Sequence, residues 1–417
     1  MRTGVWNVRT INKANSYFMR VLGEQSPEPG VEYAEHPYII KDGNLWYNAL
    51  TNEAVQLSES EDEESELIKR WFYVPEGMDV KPLSYLIRSK INYLESGPRV
   101  TKGTFVFFLT TACNAACTYC YEKGTEVDTM SEEVAEDAAE YICKNSGKDA
   151  VVKIRWFGGE PLLNKKAMNI ITGILADNGV RYVSEMFSNG DLFDTVDDIE
   201  IERWNLQTVQ FTLDDIGTRY DKIKGLPDGA YERLKRTIVR LRDMDVHSSL
   251  RIHLDPKKGI APCKAVVDAF RDMEDVGMYA RILYNQPLTE KNYDELLELE
   301  DYIRATGKFR RNFRSYNSAP YCMADTRATA CITTDGHLSF CEHYPFGESY
   351  GSIYEPKYNA EKTKQWRIRE KYERGCKQCV LYPTCKKLTM CPAVGKCTEG
   401  YAYYQIESIK RAMRERS

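Results

Sequence analysis

From about residue 102 to residue 300, apolar runs of strand length alternate with amphipathic helical stretches, and that alternation leaves few folds open. The runs are Thr104–Leu109, Val151–Trp156, Val180–Phe187, Thr208–Leu213, Ser248–Leu254 and Ala280–Tyr284. Helices are expected between them, one bracketed by an N-cap at Ser131 and a stop at Gly147. Six β/α units imply an α/β fold: a parallel sheet with helices outside, curved into a partial, TIM-like (β/α)6 barrel. In barrels of this kind chemistry sits at the C-terminal ends of the strands. Directly after the first such end, in TACNAACTYCYEKG, stand Cys113, Cys117 and Cys120, three thiols within eight residues.

Three close cysteines can bind three irons of a cubane 4Fe–4S cluster and leave the fourth iron without a protein ligand. Ferredoxin runs supply four thiolates and close the cluster. Zinc wants four ligands, usually from two paired knuckles, and no nearby His or Cys completes such a set. With Tyr119 before the last cysteine, the spacing resembles the signature of the radical SAM superfamily. The resemblance implies that S-adenosyl-L-methionine (SAM) chelates the vacant iron and is cleaved to a 5′-deoxyadenosyl radical. Chelation fixes the reacting geometry, while the protein supplies orientation and excludes water.

Further motifs fit that resemblance. Phe157-Gly158-Gly159-Glu160-Pro161 follows the second strand. Its glycines permit close backbone approach, and a strand-end carboxylate with open carbonyls can hold an ammonium. By itself the segment also reads as a tight βα turn; beside the triplet it resembles the GGEP motif that meets SAM's amino group. Phe187-Ser188-Asn189-Gly190 resembles the strand-end segment that contacts the ribose or methionine part. Arg251 alternates with Leu250 and Ile252, and the resemblance implies a contact to SAM's carboxylate. Asp214, in Thr212-Leu213-Asp214, resembles the family's Ser-x-Asp segment and is the single catalytic candidate, without an assigned role.

With 417 residues the chain is expected to form three domains, 1–100, 101–304 and 305–417. A net charge of −5 with scattered Lys and Arg points away from a nucleic-acid partner. Absence of an apolar h-region or a membrane-length apolar run leads to the expectation of a cytoplasmic protein without a membrane partner. Thirteen cysteines in a reducing compartment then suit metal or cluster ligation better than disulfides. Cys143 and Cys263 stand apart and read as ordinary buried thiols.

Eight cysteines lie between Cys322 and Cys397, in a loop-rich stretch where regular alternation stops. The pattern Cys322-x13-Gly336-x4-Cys341, Cys376-x2-Cys379-x5-Cys385-x5-Cys391 and Cys397 resembles the SPASM extension, which holds two auxiliary 4Fe–4S clusters. Five residues before Cys391, and the short interval to Cys397, depart from the usual spacing. The resemblance implies three clusters in all: Cys322, Cys341 and Cys391 for the first auxiliary one, Cys376, Cys379, Cys385 and Cys397 for the second. Cys331 either closes the first or leaves it an open iron for a substrate thiolate. The alternative from the residues alone is a pair of structural zinc sites, since Cys376-x2-Cys379 is a common knuckle.

Residues 1–100 look different. Tyr38–Leu57 has β-rich runs broken at Asp42-Gly43 and at Thr51-Asn52 and reads as a hairpin, the acidic run SESEDEESELIKRW opens a helix, and Val80–Leu94 has apolar positions on one face. Gly97-Pro98 marks a boundary. This α+β content suggests a winged-helix-like module, which in peptide maturases binds a leader by strand addition; a stabilising or dimerising cap is the plainer alternative. The expectation is a radical SAM/SPASM maturase that crosslinks a ribosomally made precursor peptide, thioether ahead of carbon–carbon, fed by flavodoxin or ferredoxin. Oxidation of a protein Cys or Ser to formylglycine is the second expectation. A non-catalytic electron carrier or metal-stabilised binding protein is the third.

Overall fold

A computed structural model describes residues 8–58, 63–84, 86–87, 103–120, 122–147, 150–283, 288–309, 329–342, 349–355, 359, 361, 376, 379–385 and 397–417. The chain divides into two units: Met1–Gly97 with Asn312–Asp325 and Trp366–Ser417, and Pro98–Arg311 with Thr326–Gln365.

The first unit begins with β1 (Arg9–Asn12), α1 (Ser16–Leu22), β2 (Tyr33–Glu35), β3 (Ile39–Asp42), β4 (Leu45–Asn48), β5 (Glu53–Gln56), α2 (Glu63–Lys69) and β6 (Tyr73–Pro75). β1, β5, β4 and β3 form an antiparallel sheet in that order, and β2 pairs with β6. Gly43 and Asn52 take left-handed backbone, with φ of 60° and 61°, and so turn β3 into β4 and β4 into β5. Both breaks expected in Tyr38–Leu57, at Asp42-Gly43 and at Thr51-Asn52, are turns, so the expected hairpin is two successive ones. The acidic run does open a helix, α2. Most of Val80–Leu94 lies outside the described residues.

Tyr38, Ile40, Tyr47, Leu50 and Trp71 share one core with Leu381 and Tyr382, and with Ile409, Ala412 and Met413 of the C-terminal helix Glu399–Arg414. That helix carries an apolar face of helical period which must find a partner, and it finds one in the N-terminal residues. The expected single domain 305–417 therefore does not coincide with the observed division: 366–417 group with the N-terminal unit and 326–365 with the barrel.

The second unit alternates as expected. Its elements are β7 (Thr104–Thr110), α3 (Glu132–Asn145), β8 (Val152–Gly158), α4 (Lys165–Asp177), β9 (Tyr182–Ser188), α5 (Asp198–Arg203) and β10 (Leu206–Leu213). Then follow α6 (Gly217–Lys224), α7 (Ala230–Asp243), β11 (His247–Leu254), α8 (Ala261–Phe270), β12 (Val276–Ile282) and α9 (Glu290–Arg304). Ser131 caps α3 by accepting the Val134 N–H at 3.2 Å. β12 starts at Val276 rather than at Ala280, because Val276 and Gly277 pair with Ser248 and Ser249 of β11; the glycine hid the strand's beginning.

β7 to β12 are parallel neighbours in chain order. On β8, Val152, Ile154 and Trp156 are fully buried, whereas Lys153 and Arg155 reach Glu185 of β9. The sheet does not end at β7. β13 (Thr329–Ile332) lies parallel to β7, and β14 (His337–Ser339) and β15 (Gly351–Ser352) extend it antiparallel. Ala330, Cys331 and Ile332 are wholly buried there, and the hairpin expected over Ala330–Cys341 is present as β13 and β14, within an otherwise loop-rich stretch.

Candidate active site at the strand ends

Three main-chain bonds seat the segment carrying Cys113, Cys117 and Cys120. Gly159 N–H donates to Thr110 O at 2.9 Å, Glu160 N–H to Ala112 O at 2.9 Å, and Ala116 N–H to Lys224 O at 2.7 Å. A Cβ on Gly158, whose φ is +120°, would stand 2.3 Å from Thr110 O, and one on Gly159 2.2 Å from Ala112 O. Both contacts are backbone against backbone, which cannot yield. In the structure these glycines admit the backbone of the cysteine loop.

Cys113 and Cys120 are exposed and Cys117 half-buried, and none is in a disulfide. Burial raises the Cys117 thiol, with Lys224 opposing. Ala115 N–H donates to Cys113 Sγ at 3.4 Å. Among the described residues no three His, Cys, Asp or Glu side chains converge on a single ion. A mononuclear zinc needs its ligands at about 2.0–2.3 Å from one centre, whereas each thiolate of a cubane binds its own iron. The soft three-sulfur donor set fits a cluster.

Glu160, fully buried, caps the short 3-10 turn Pro161–Asn164 by accepting Leu162 N–H at 3.2 Å. It also accepts the Ser188 hydroxyl at 3.0 Å and the Asn189 N–H at 2.9 Å. Burial pushes this carboxyl up to about 7 against those hydrogen bonds. Its oxygens are thus engaged in fixing the turn that carries Ser188 and Asn189. Asn189 in turn donates to Asn114 Oδ1 at 2.8 Å, with Nδ2 3.9 Å from Cys113 Sγ. Asn114 completes the chain by donating to Asp191 at 3.0 Å.

A buried polar cluster occupies the ends of β10 and β11. Tyr119 donates to Asp214 Oδ2 at 2.7 Å, Lys224 Nζ lies 2.5 Å from Tyr119 Oη and 2.9 Å from Asp214 Oδ2, and His253 Nδ1 lies 3.2 Å from Asp214 Oδ1. Burial pushes Asp214 up, but Lys224, His253 and Tyr119 outweigh it and hold the carboxylate well below its usual range. Burial lowers His253 to about 4, so the ring is neutral near pH 7. With Asp214 ionised, Nδ1 must donate, which leaves Nε2 an acceptor without a hydrogen-bond partner in the structure. Tyr119, Asp214 and His253 line a cavity of about 170 Å³ together with Lys257, Lys258 and Cys263.

Sequence reasoning missed Lys224, His253 and Asn114. Lys224 reads as an ordinary cation at a helix C-terminus; only its burial distinguishes it. His253 was readable, since it sits two positions from Arg251 on one strand face. Arg251 is half-buried, in register with Thr212 and Tyr279, and its Nε is buried with no hydrogen-bond partner among the described residues.

The remaining cysteines fall in both units. Cys331 on β13 is fully buried, which raises its thiol well above the usual value, and Cys341 is buried in the same segment. Cys376, Cys379 and Cys385 pack against the core of the N-terminal unit, with Cys379 N–H on Cys376 O at 3.1 Å, and Cys397 precedes the C-terminal helix in that unit. Cys322 and Cys391 lie outside the described residues. Among the described residues, no helix is long and apolar enough to cross a membrane.

Residues 107–270 match the Radical SAM superfamily. A probable GTP 3′,8-cyclase of Methanocaldococcus jannaschii is 26% identical over 256 residues, covering 56% of this chain and 82% of that one. Among solved structures, anSMEcpe with bound S-adenosylmethionine and the Cp18Cys peptide superposes with a TM-score of 0.58 at 17% identity, over 75% of this chain and 98% of that one. Streptococcus suis SuiB bound to precursor peptide SuiA gives 0.53 at 12% identity, over 85% and 95%. These likenesses carry the fold. Residues 107–270 thus carry the match to the radical SAM domain, and the cysteine triplet stands at a strand end within them.

Proposed function

We propose that this protein is a radical SAM peptide maturase, installing an intramolecular crosslink in a ribosomally made precursor, thioether ahead of carbon–carbon. The observation that carries this reading is the α+β unit preceding the barrel, joined to a cysteine-bearing C-terminal segment. SuiB, a fold neighbour over 85% of the chain, was solved with a precursor peptide. The N-terminal unit is read as the winged-helix-like leader module and the C-terminal cysteines as SPASM ligands.

In this reading Cys113, Cys117 and Cys120 hold the SAM-binding cluster. Cys322, Cys341 and Cys391, with Cys331 in question, hold one auxiliary cluster, and Cys376, Cys379, Cys385 and Cys397 the other. When bound, the first supplies the electron that cleaves SAM and the auxiliary pair supplies acceptors. Arg251, lacking an ion pair among the described residues, takes SAM's carboxylate; carbonyls of Gly158 and Gly159 take its amine. Glu160 and Pro161 hold the turn, Ser188 and Asn189 meet the methionine or ribose part, and Tyr119 fixes the cysteine loop. Flavodoxin or ferredoxin is the proposed donor.

The sequence relatives favour a second reading, cyclisation of GTP, since the M. jannaschii protein is a probable GTP 3′,8-cyclase. Anaerobic incubation with SAM, reductant and either GTP or short peptides encoded beside the gene separates the two. A peptide lacking two hydrogens by mass spectrometry supports the maturase; consumption of GTP with no peptide change refutes it.

A further inference from the structure

Lys224 holds the cysteine loop at two points with two different groups. Its carbonyl, at the end of α6, accepts the Ala116 N–H at 2.7 Å and lies 4.0 Å from Cys117 Sγ. Its ammonium meets the Tyr119 hydroxyl at 2.5 Å. Ala116 immediately precedes Cys117 and Tyr119 immediately precedes Cys120, so one residue fixes the approach to two of the three thiols. Gly225, with φ +61°, ends the helix tightly against Ala116: a Cβ there would be 2.9 Å from the alanine methyl.

The lysine side chain is 4% exposed, and a buried cation is costly unless paired. Asp214 pairs with it at 2.9 Å but touches the cysteine loop only through Tyr119 among the hydrogen bonds described. A structural ion pair has no need of a place beside thiols. A thiolate-bound cluster, however, gains negative charge when reduced, and in a low-dielectric site a nearby cation favours that state while a carboxylate disfavours it.

We propose that Lys224 is a positioning residue for the cysteine loop, whose buried charge sets how readily the cluster held there takes up its electron, with Asp214 as the opposing charge. The proposal rests on the radical SAM reading of the site. It predicts opposite effects from two neighbouring substitutions.

The test is a redox titration of anaerobically reconstituted full-length protein, following the EPR signal that changes on adding SAM. Lys224→Met should shift the reduced-to-oxidised ratio at fixed potential about tenfold toward oxidised, ~59 mV for one electron. Asp214→Asn should shift it the other way, and Lys224→Arg should stay near the parent, all with parent iron content. If Lys224→Met loses the cluster outright, Asp214→Asn decides: a potential unchanged or lowered overturns the proposal. Equal iron loss in both variants with an unshifted remainder also overturns it. A parent protein with no SAM-responsive signal would instead overturn the cluster reading itself.

Discussion

The Ser188 hydroxyl lies 3.0 Å from both oxygens of the Glu160 carboxylate, a group sealed from solvent. The turn after β9 is thereby tied to the turn after β8. Replacing Glu160 by Ala strands the Ser188 and Asn189 donors, at about 1–3 kcal/mol for each buried unsatisfied group. SAM affinity, measured by equilibrium dialysis on reconstituted protein, should fall at least about tenfold, the factor that ~1.4 kcal/mol represents. Unchanged affinity would show that this turn does not serve the ligand.

Gly159→Ala drives a Cβ into the Ala112 carbonyl, 2.2 Å away. The cysteine loop must lift, while β7 and β8, which end before this contact, keep their pairing. Iron analysis beside far-UV circular dichroism should show cluster loss with an unaltered spectrum; full iron retention would contradict the packing argument.

Changing Cys113, Cys117 and Cys120 together to Ala should abolish SAM cleavage and remove about four of about twelve irons per chain. Continued release of 5′-deoxyadenosine from that variant would falsify the assignment of the triplet.

His36 titrates in the N-terminal unit. Its Nδ1 accepts the Tyr38 N–H at 3.2 Å, its Nε2 is buried without a hydrogen-bond partner in the structure, and burial lowers it from 6.5 to about 4. The folded state therefore binds this proton less readily than the unfolded one. Stability present above pH 6.5 should decline as pH falls toward 4. Melting temperatures across that window should show the slope, and His36→Gln should flatten it; a slope of equal size in the variant would assign it elsewhere.

Met413 is fully buried in the core shared by the two ends of the chain. Met413→Ala should cost about 2–5 kcal/mol, read as a lower denaturant midpoint for the N-terminal unit. A neutral result would mean the C-terminal helix is not part of that core. For the same reason, deleting residues 1–97 is a poor probe of leader binding, because it also uncovers Ile409 and Ala412.

The barrel was legible because strand and helix periods are local: each of β7 to β12 overlaps its expected run, and β12 begins earlier than expected, at Val276, where Gly277 hides the pattern. Motif placement was legible too, since Gly158, Ser188 and Asp214 stand at strand ends whatever their roles. What stayed hidden was pairing between distant segments. Nothing in Thr329–Ile332 announces that it will lie beside Thr104, and nothing in Ile409 or Met413 names Tyr47 as a neighbour. Lys224 escaped for a related reason, because burial of a charge is a property of the assembled site rather than of its own helix.

Since Ile409 and Met413 complete the hydrophobic interior begun by Phe18 and Tyr47, that interior closes only when segments almost four hundred residues apart have met. The β/α segment between them has its own interior and can mature without it. A chain lacking the C-terminal helix would then hold an orderly barrel and an unfinished N-terminal core, a ready substrate for chaperones and proteases.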